Sequence, residues 1–236
     1  MKNILEENLT AGLAAWRLHC DARLLRRFRR YYEALTERNR VMNLTAIEGE
    51  ADTARLHFLD SLSPLLLFPL EGKRVIDVGT GAGFPGLPLK IACPDLSLTL
   101  LDSQQKRVEF LRETCDLLEL EDVECLHARA EECGKLRESF DLALSRAVAR
   151  LNVLCELCLP FVKVGGAFLA LKGPAVSEEL NEAQRAVSLL GGTVEQVFPY
   201  TLPGEETAHN IAVIRKTSST PAKYPRRFAQ IKKAPL

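Results

Sequence analysis

The stretch Val75-Ile76-Asp77-Val78-Gly79-Thr80-Gly81-Ala82-Gly83-Phe84-Pro85-Gly86 runs an apolar segment into an acid and then into three alternating glycines. It reads as a strand, a tight turn and the start of a helix. Glycine at every second position lets the main chain turn sharply and leaves its N–H groups open to a ligand, because no Cβ stands in the way. Asp77, placed before the turn, disfavours a pyrophosphate and suits a ligand that carries hydroxyls or a positive charge.

Outward from that turn the pattern repeats. Strands and helices alternate as Arg74–Val78, a helix from Gly86, Leu96–Leu101, helix Gln104–Leu118, Val123–His127, Leu142–Ser145, helix Leu151–Leu159 and Ala167–Leu171. Such alternation predicts a parallel sheet covered by helices on both faces. After a helix over Ser177–Leu190 and the pair Gly191-Gly192, two β-rich runs, Thr193–Tyr200 and Asn210–Lys216, are joined by a short polar segment. A connection that short suits an antiparallel hairpin, since a parallel pair needs a crossover of about a dozen residues or more. The expectation is an α/β fold with a doubly wound, mostly parallel, seven-stranded sheet and an antiparallel C-terminal hairpin, the Rossmann-like form used by class I methyltransferases.

Ahead of the sheet, Leu24, Leu25, Phe28, Tyr31, Tyr32 and Leu35 line one face of a helix and Arg23, Arg26, Arg27 and Arg30 take the other. Three parts follow: a helical N-terminal extension over 1–70, a cofactor-binding domain over 71–217 and a basic C-terminal tail over 218–236. The tail holds Lys223, Arg226, Arg227, Lys232 and Lys233.

Composition bounds the rest. A chain of 236 residues with 47% hydrophobic content can bury a sizeable core, and its 31 basic and 31 acidic side chains cancel. Attraction to nucleic acid therefore has to come from local clusters, namely the helix arginines and the tail cations. The seven cysteines have no repeating spacing, so free thiols and a cytoplasmic setting are expected. The first residues lack the apolar centre of a signal peptide, and Leu62–Leu70 is too short to span a bilayer. Cys155 and Cys158 have metal-like spacing, but no second pair exists and their helix is apolar, so no metal is expected.

Gly81-Ala82-Gly83-Phe84-Pro85-Gly86 also fits the dinucleotide pattern G-x-G-x-x-G, with Asp102 where a ribose-binding acid belongs. Asp102 serves either ligand, because a nicotinamide dinucleotide and S-adenosylmethionine both present a ribose diol. Asp77 and Pro85 favour the methyl donor: a phosphate needs the donor-rich helix N-terminus that Pro85 occupies. Further along, Ala130 and Glu131 follow the third strand, where they can border an adenine ring, and Ser145-Arg146-Ala147-Val148 ends the fourth strand, which should face the methyl group.

What ends the fourth strand narrows the chemistry. It lacks the Asn/Asp-Pro-Pro-aromatic tetrad of adenine amino methyltransferases, and Thr114-Cys115 lies inside a helix, away from the position of a cytosine-attacking thiolate. An acceptor with a free lone pair, such as guanine N7, needs no base, and catalysis can rest on positioning. Arg146 is the candidate for that role, through guanine O6 or a phosphate. Lys172 ends the next strand on the same rim. His57 and Asp60 are secondary candidates, spaced i, i+3 either to pair with each other or to cap the cofactor site.

Several segments together resemble one family: Asn43-Leu44-Thr45-Ala46-Ile47, His57-Phe58-Leu59-Asp60-Ser61-Leu62, Asp77 to Pro88, Leu101-Asp102-Ser103, Lys106-Arg107, Arg129-Ala130-Glu131-Glu132, Ser145-Arg146-Ala147 and Leu171-Lys172-Gly173. The chain resembles the RsmG family, also called glucose-inhibited division protein B, from about Arg38 to Lys216. The resemblance implies an S-adenosylmethionine-dependent enzyme that methylates N7 of a guanosine (guanosine 527) in the 530 loop of bacterial 16S rRNA in the small ribosomal subunit; a monomer is expected. The resemblance also implies cofactor contacts at Gly79, Phe84, Asp102, Ser103, Gln104, Ala130, Glu131 and Arg146, to which the turn itself adds Asp77, Gly81 and Gly83; the tail cations Arg226, Arg227, Lys232 and Lys233 resemble an RNA-contacting tail, and Lys106, Arg107 and Lys172 are further candidates for RNA contact. The chain departs from the family pattern at Gln104, at Ala208-His209 and at Ala229-Gln230-Ile231. Two other readings of the same residues are an NAD(P)-dependent oxidoreductase and an RNA-binding module with a vestigial cofactor cleft.

Overall fold

Nearly continuous apolar runs give the central strands two buried faces, and the computed structural model, which describes residues 3–236, covers both. The strands are β1 (Arg74–Val78), β2 (Ser97–Asp102), β3 (Val123–His127), β4 (Phe140–Arg146), β5 (Val162–Lys172), β6 (Gly192–Thr201) and β7 (Ala208–Lys216). They form one sheet in the order β3-β2-β1-β4-β5-β7-β6. The five strands from β3 to β5 run parallel, and β7 is antiparallel to both β5 and β6. This is the doubly wound sheet with a C-terminal hairpin that the sequence predicts. β5 begins five residues before the predicted start, because Val162 pairs with Phe140 across a register shift.

Residue parity sorts the core. Val75, Leu100, Leu142, Leu144 and Leu169 pack on one face, while Ile76, Leu101, Ala143 and Phe168 pack on the other. The first face is covered by α1 (Ile4–Ala15), α2 (Ala22–Met42), α5 (Gly86–Ala92) and α6 (Gln105–Leu118); the second by α7 (Leu151–Cys158) and α8 (Val176–Leu189). Between α2 and β1 lies a helical segment that changes pitch: α3 (Glu50–Asp52), a π-helical turn over Thr53–Leu59, α4 (Asp60–Leu62) and a short 3₁₀ turn.

The N-terminal helices share the core of the sheet. Phe28, Tyr31 and Phe58 are fully buried in the same cluster as Val75 and Leu100. Tyr31 donates its hydroxyl to the Ala82 carbonyl at 2.5 Å and stacks on Phe58 and Phe84. A Cβ built on Gly83, which sits at φ +104°, would lie 2.7 Å from that hydroxyl. The extension thus presses directly on the glycine turn. On α2 itself, Arg27 donates to the Glu119 carbonyl at the end of α6 and Arg30 lies near the Glu119 carboxylate, while Arg23 and Arg26 are exposed.

Residues 218–236 fold onto the second face and end in a short helix, α9 (Phe228–Lys233). Glu156 on α7 is fully buried, and Arg226 meets its carboxylate with Nε and Nη2, at 2.8 and 2.6 Å, and with its backbone N–H at 2.8 Å. Arg137 donates to the carbonyls of Thr220, Pro221 and Tyr224, and Tyr224 and Ile231 are buried. The basic C-terminal tail is thus docked on the second face through Arg226, Tyr224 and Ile231.

Among the described residues no helix is long and apolar enough to cross a membrane. All seven cysteines are free, and Cys155 and Cys158 are fully buried, which pushes both thiols upward.

Replacing Tyr31 by Phe removes only the hydroxyl and leaves the buried Ala82 carbonyl without its partner. The expected loss is about 1–3 kcal/mol in urea unfolding. An unchanged midpoint would contradict the support that the extension gives the turn.

Candidate functional site

Parallel pairing places Asp77 beside Leu100 and Leu144, Asp102 beside His127, and Arg146 beside Leu171. The C-terminal ends of the strands, and the side chains that leave them, therefore lie along one rim. Because β7 runs antiparallel to β5, pairing Asn210 with Lys172, the tip of the hairpin comes to the same rim and brings Tyr200 and His209. Two cavities open there.

The smaller cavity, about 130 Å³, lies over the ends of β1, β2 and β3. Gly79, Asp102, Ser103, Ala130 and Glu131 line it, so five of the predicted cofactor residues come together. Gly79 sits at φ +73°, and a Cβ built on it would lie 2.7 Å from Val148 Cγ2, so only glycine fits. Asp102 accepts from the Gly81 N–H with one oxygen and from the Gln104 N–H with the other, at 3.0 and 2.9 Å. That carboxylate sets the turn and edges the cavity at once.

Asp77 lies beneath the turn, fully buried. Its Oδ2 accepts from the Thr80 hydroxyl and the Gly86 N–H, whereas its Oδ1 has no protein partner. Burial pushes its pKa up to about 6, against the pull of those two donors. The acid at the end of the second strand and the apolar wall together fit a ligand with a ribose and a flat base, whereas Asp77, Gly81 and Gln104, also predicted as cofactor contacts, line neither cavity, Asp77 because it is buried beneath the turn.

Phe84 lines neither cavity. Its ring is buried between Tyr31 and His57, stacked on the imidazole at 4.3 Å and 8°. Gly83 likewise faces the extension, so both residues shape the turn from behind.

The larger cavity, about 600 Å³, lies over the ends of β4, β5 and the hairpin. Arg146 lines it, but its guanidinium is directed to internal partners: Nη1 donates to Asp60 Oδ2 at 2.7 Å and to the Leu56 carbonyl at 3.0 Å, and Nη2 donates to His57 Nδ1 at 3.1 Å. The ion pair is buried, with side-chain exposures of 12% and 9%. Asp60 also accepts from the Tyr200 hydroxyl at 2.7 Å, and His209 Nδ1 lies 3.3 Å away. Burial alone would raise the Asp60 pKa, but His209, Arg146 and Tyr200 outweigh it and hold the carboxyl below its ordinary value.

His57 is the neutral member of this network. Burial, and secondly the charge of Arg146, lower its pKa to about 3. Since Nδ1 accepts from Arg146, the proton sits on Nε2 and is donated to Thr45 Oγ1 at 2.7 Å. His209 has the opposite environment: the hydrogen bond to Asp60 raises its pKa despite partial burial, with Glu205 helping, so the imidazolium is favoured.

Of the predicted RNA-binding cations, Lys172 donates to the Ala149 carbonyl and to Glu179 and is nearly buried, Arg226 is committed to Glu156, and Arg107 lies 3.6 Å from Asp102. Lys106, Arg227, Lys232 and Lys233 are exposed, and among the described residues none has a carboxylate partner. Lys172 and Arg226 are thus turned inward because each neutralises a carboxylate that the fold buries. No group of three or more His, Cys, Asp or Glu among the described residues could hold a metal ion. Sequence reading missed Thr45, Tyr200 and His209 as partners of His57 and Asp60; a lone polar residue at each end of the hairpin was the available signal.

The proton balance of His57 yields a stability test. The folded imidazole titrates near 3 and the unfolded one near 6.5, so the unfolded chain binds more protons between these values and stability falls as pH drops below about 6.5. In His57→Gln the loss of stability from pH 7 to pH 5 should be smaller than in the natural chain, read from urea midpoints. Equal losses would contradict this assignment.

The family model for rRNA small subunit methyltransferase G matches residues 24–206. The chain is 46% identical over 240 residues to the ribosomal RNA small subunit methyltransferase G of Thermoanaerobacter pseudethanolicus, covering all of both chains. It is 50% identical over 222 residues to the protein of that name from Alkaliphilus metalliredigens, covering 92% of this chain and 93% of the relative. Among solved structures, a SAM dependent methyltransferase from Aquifex aeolicus superposes with a TM-score of 0.52 at 20% identity, over 69% of this chain and 92% of that one, which speaks for the fold alone. Matched over its whole length at such identity, the chain belongs to the rRNA small subunit methyltransferase G family.

Proposed function

We propose that this chain transfers a methyl group from S-adenosylmethionine to N7 of a guanosine in 16S rRNA, with guanosine 527 of the 530 loop as its target, and that it does so in the cytoplasm. Family membership supports the reaction class. The observation that carries the choice of acceptor is the state of the larger cavity, where every acid and imidazole is already bonded.

His57 is neutral, but its basic nitrogen accepts from Arg146; Asp60 accepts from Arg146 and Tyr200, and His209 lies against it; Glu179 accepts from Lys172 and the Leu151 N–H. None stands ready to remove a proton. An acceptor nitrogen with an in-plane lone pair requires none, because the bond to the methyl carbon forms as the carbon–sulfur bond breaks and the positive charge passes to the purine. Catalysis then depends on alignment of acceptor and donor.

S-adenosylmethionine, when bound, supplies an activated methyl group on sulfur. Asp77, buried beneath the turn, would act through it; Gly79 and Gly81 permit close approach; Asp102 and Ser103 would face the ribose; Ala130 and Glu131 would border the adenine. Arg146 acts as a positioning residue that holds the β4 end against the extension. Lys106, Arg227, Lys232 and Lys233 remain open to phosphates, and loss of any one should reduce the salt slope of RNA binding by about one unit.

Purified protein incubated with tritiated donor and undermethylated small subunits or naked 16S rRNA should incorporate label that maps to one guanosine in the 530 loop. RNA binding without incorporation would favour a binding module, and saturable NAD(P)H binding without response to S-adenosylhomocysteine would favour an oxidoreductase. Arg146→Ala should lower the maximal transfer rate roughly 10- to 100-fold, the scale expected of displaced reacting groups. An unchanged rate would retire the role of the Arg146 network.

A further inference from the structure

We propose that the C-terminal segment completes the base-binding end of the cofactor cavity, with Phe228 as its outer wall. This rests on the reading of that cavity as the S-adenosylmethionine site.

Four observations converge. Phe228 lines the small cavity together with Leu101, Ala130 and Leu157. Its backbone N–H donates at 3.1 Å to Oε1 of Glu131, itself a lining residue. The ring is half-buried and packs on the apolar cluster of the second sheet face. The segment that carries it is anchored just upstream, by Arg226 on the buried Glu156 and by Arg137 on three carbonyls.

A purine presents two apolar faces, and apolar side chains from the sheet rim can cover only one. An aromatic ring on the other side supplies the missing contact, and stacking between a ring and a base is tolerant of lateral shifts. The two-point tether, Arg226 to α7 and the Phe228 N–H to Glu131, holds that ring in place before a ligand arrives and so reduces the ordering that binding would require. The segment thereby gains a role in cofactor affinity, separate from phosphate attraction through Arg227, Lys232 and Lys233.

The test is calorimetric titration of the full-length chain with S-adenosylhomocysteine. The natural chain should bind, Phe228→Ala should weaken binding by about 5- to 50-fold, and Phe228→Tyr should restore most of it. In methyl transfer, Phe228→Ala should raise KM for the donor with little change in kcat, and the salt slope of RNA binding should stay the same. Equal affinity for the natural chain and Phe228→Ala would overturn the proposal while leaving the cofactor reading intact. No binding by the natural chain would overturn both. Should Phe228→Ala fail to fold, Phe228→Trp in a Trp16→Phe background places the sole indole at the site, and its emission should shift on titration. An unaltered emission under saturation would count against the proposal.

Discussion

The guanidinium of Arg146 joins parts of the chain that are far apart in sequence. It leaves the end of β4, pairs with Asp60 on the pitch-changing helical segment, donates to His57 and lies 5.0 Å over the ring of Phe84 in the glycine turn. Through Asp60 it reaches Tyr200 and His209 at the tip of the C-terminal hairpin. A buried ion pair of this kind adds little over an apolar contact, yet breaking one side costs about 3–5 kcal/mol because the remaining charge stays buried. Sheet end, extension and hairpin are thus held in one arrangement, and the larger cavity takes its shape from it.

The π-helical turn over Thr53–Leu59 belongs to the same constraint. It includes His57 and precedes Asp60 by one residue, so that His57 Nδ1, the Leu56 carbonyl and Asp60 Oδ2 all face the guanidinium. A single turn of that pitch inside otherwise ordinary helix is a frequent mark of a functional position. On the other side of Gly79, Val148 borders both cavities. The neighbouring Ala147 lies at φ +55°, a conformation that an alanine adopts only where its surroundings enforce it. The strain falls at the junction between the two cavities.

Much of this was legible in the chain because it depends on local rules. Strand parity, the glycine turn and the length of the polar link between Tyr200 and Asn210 determined the sheet, the rim where its cavities open and its antiparallel end. That Asp102 and Ala130-Glu131 line one cavity followed from their places after the second and third strands. What the sequence hid was the partner of each charge. Arg146, Lys172 and Arg226 read as open cations, yet each neutralises an acid that only the tertiary fold brings close: Asp60, Glu179 and Glu156. The one local warning was Glu156, an acid in the apolar run Leu154-Cys155-Glu156-Leu157-Cys158, which had to find a cation once buried. Reading that warning would have docked the tail.

In the proposed reaction catalysis therefore rests on alignment within a pre-bonded polar frame, with no group that gains a proton from the acceptor. The direct measurement is the pH dependence of single-turnover methyl transfer at saturating donor and RNA. An acceptor lone pair requires a rate that does not rise between about pH 7 and pH 9, since no base has to be unmasked. A rate that climbed tenfold per pH unit over that range would contradict the account and require a titrating base in the cavity.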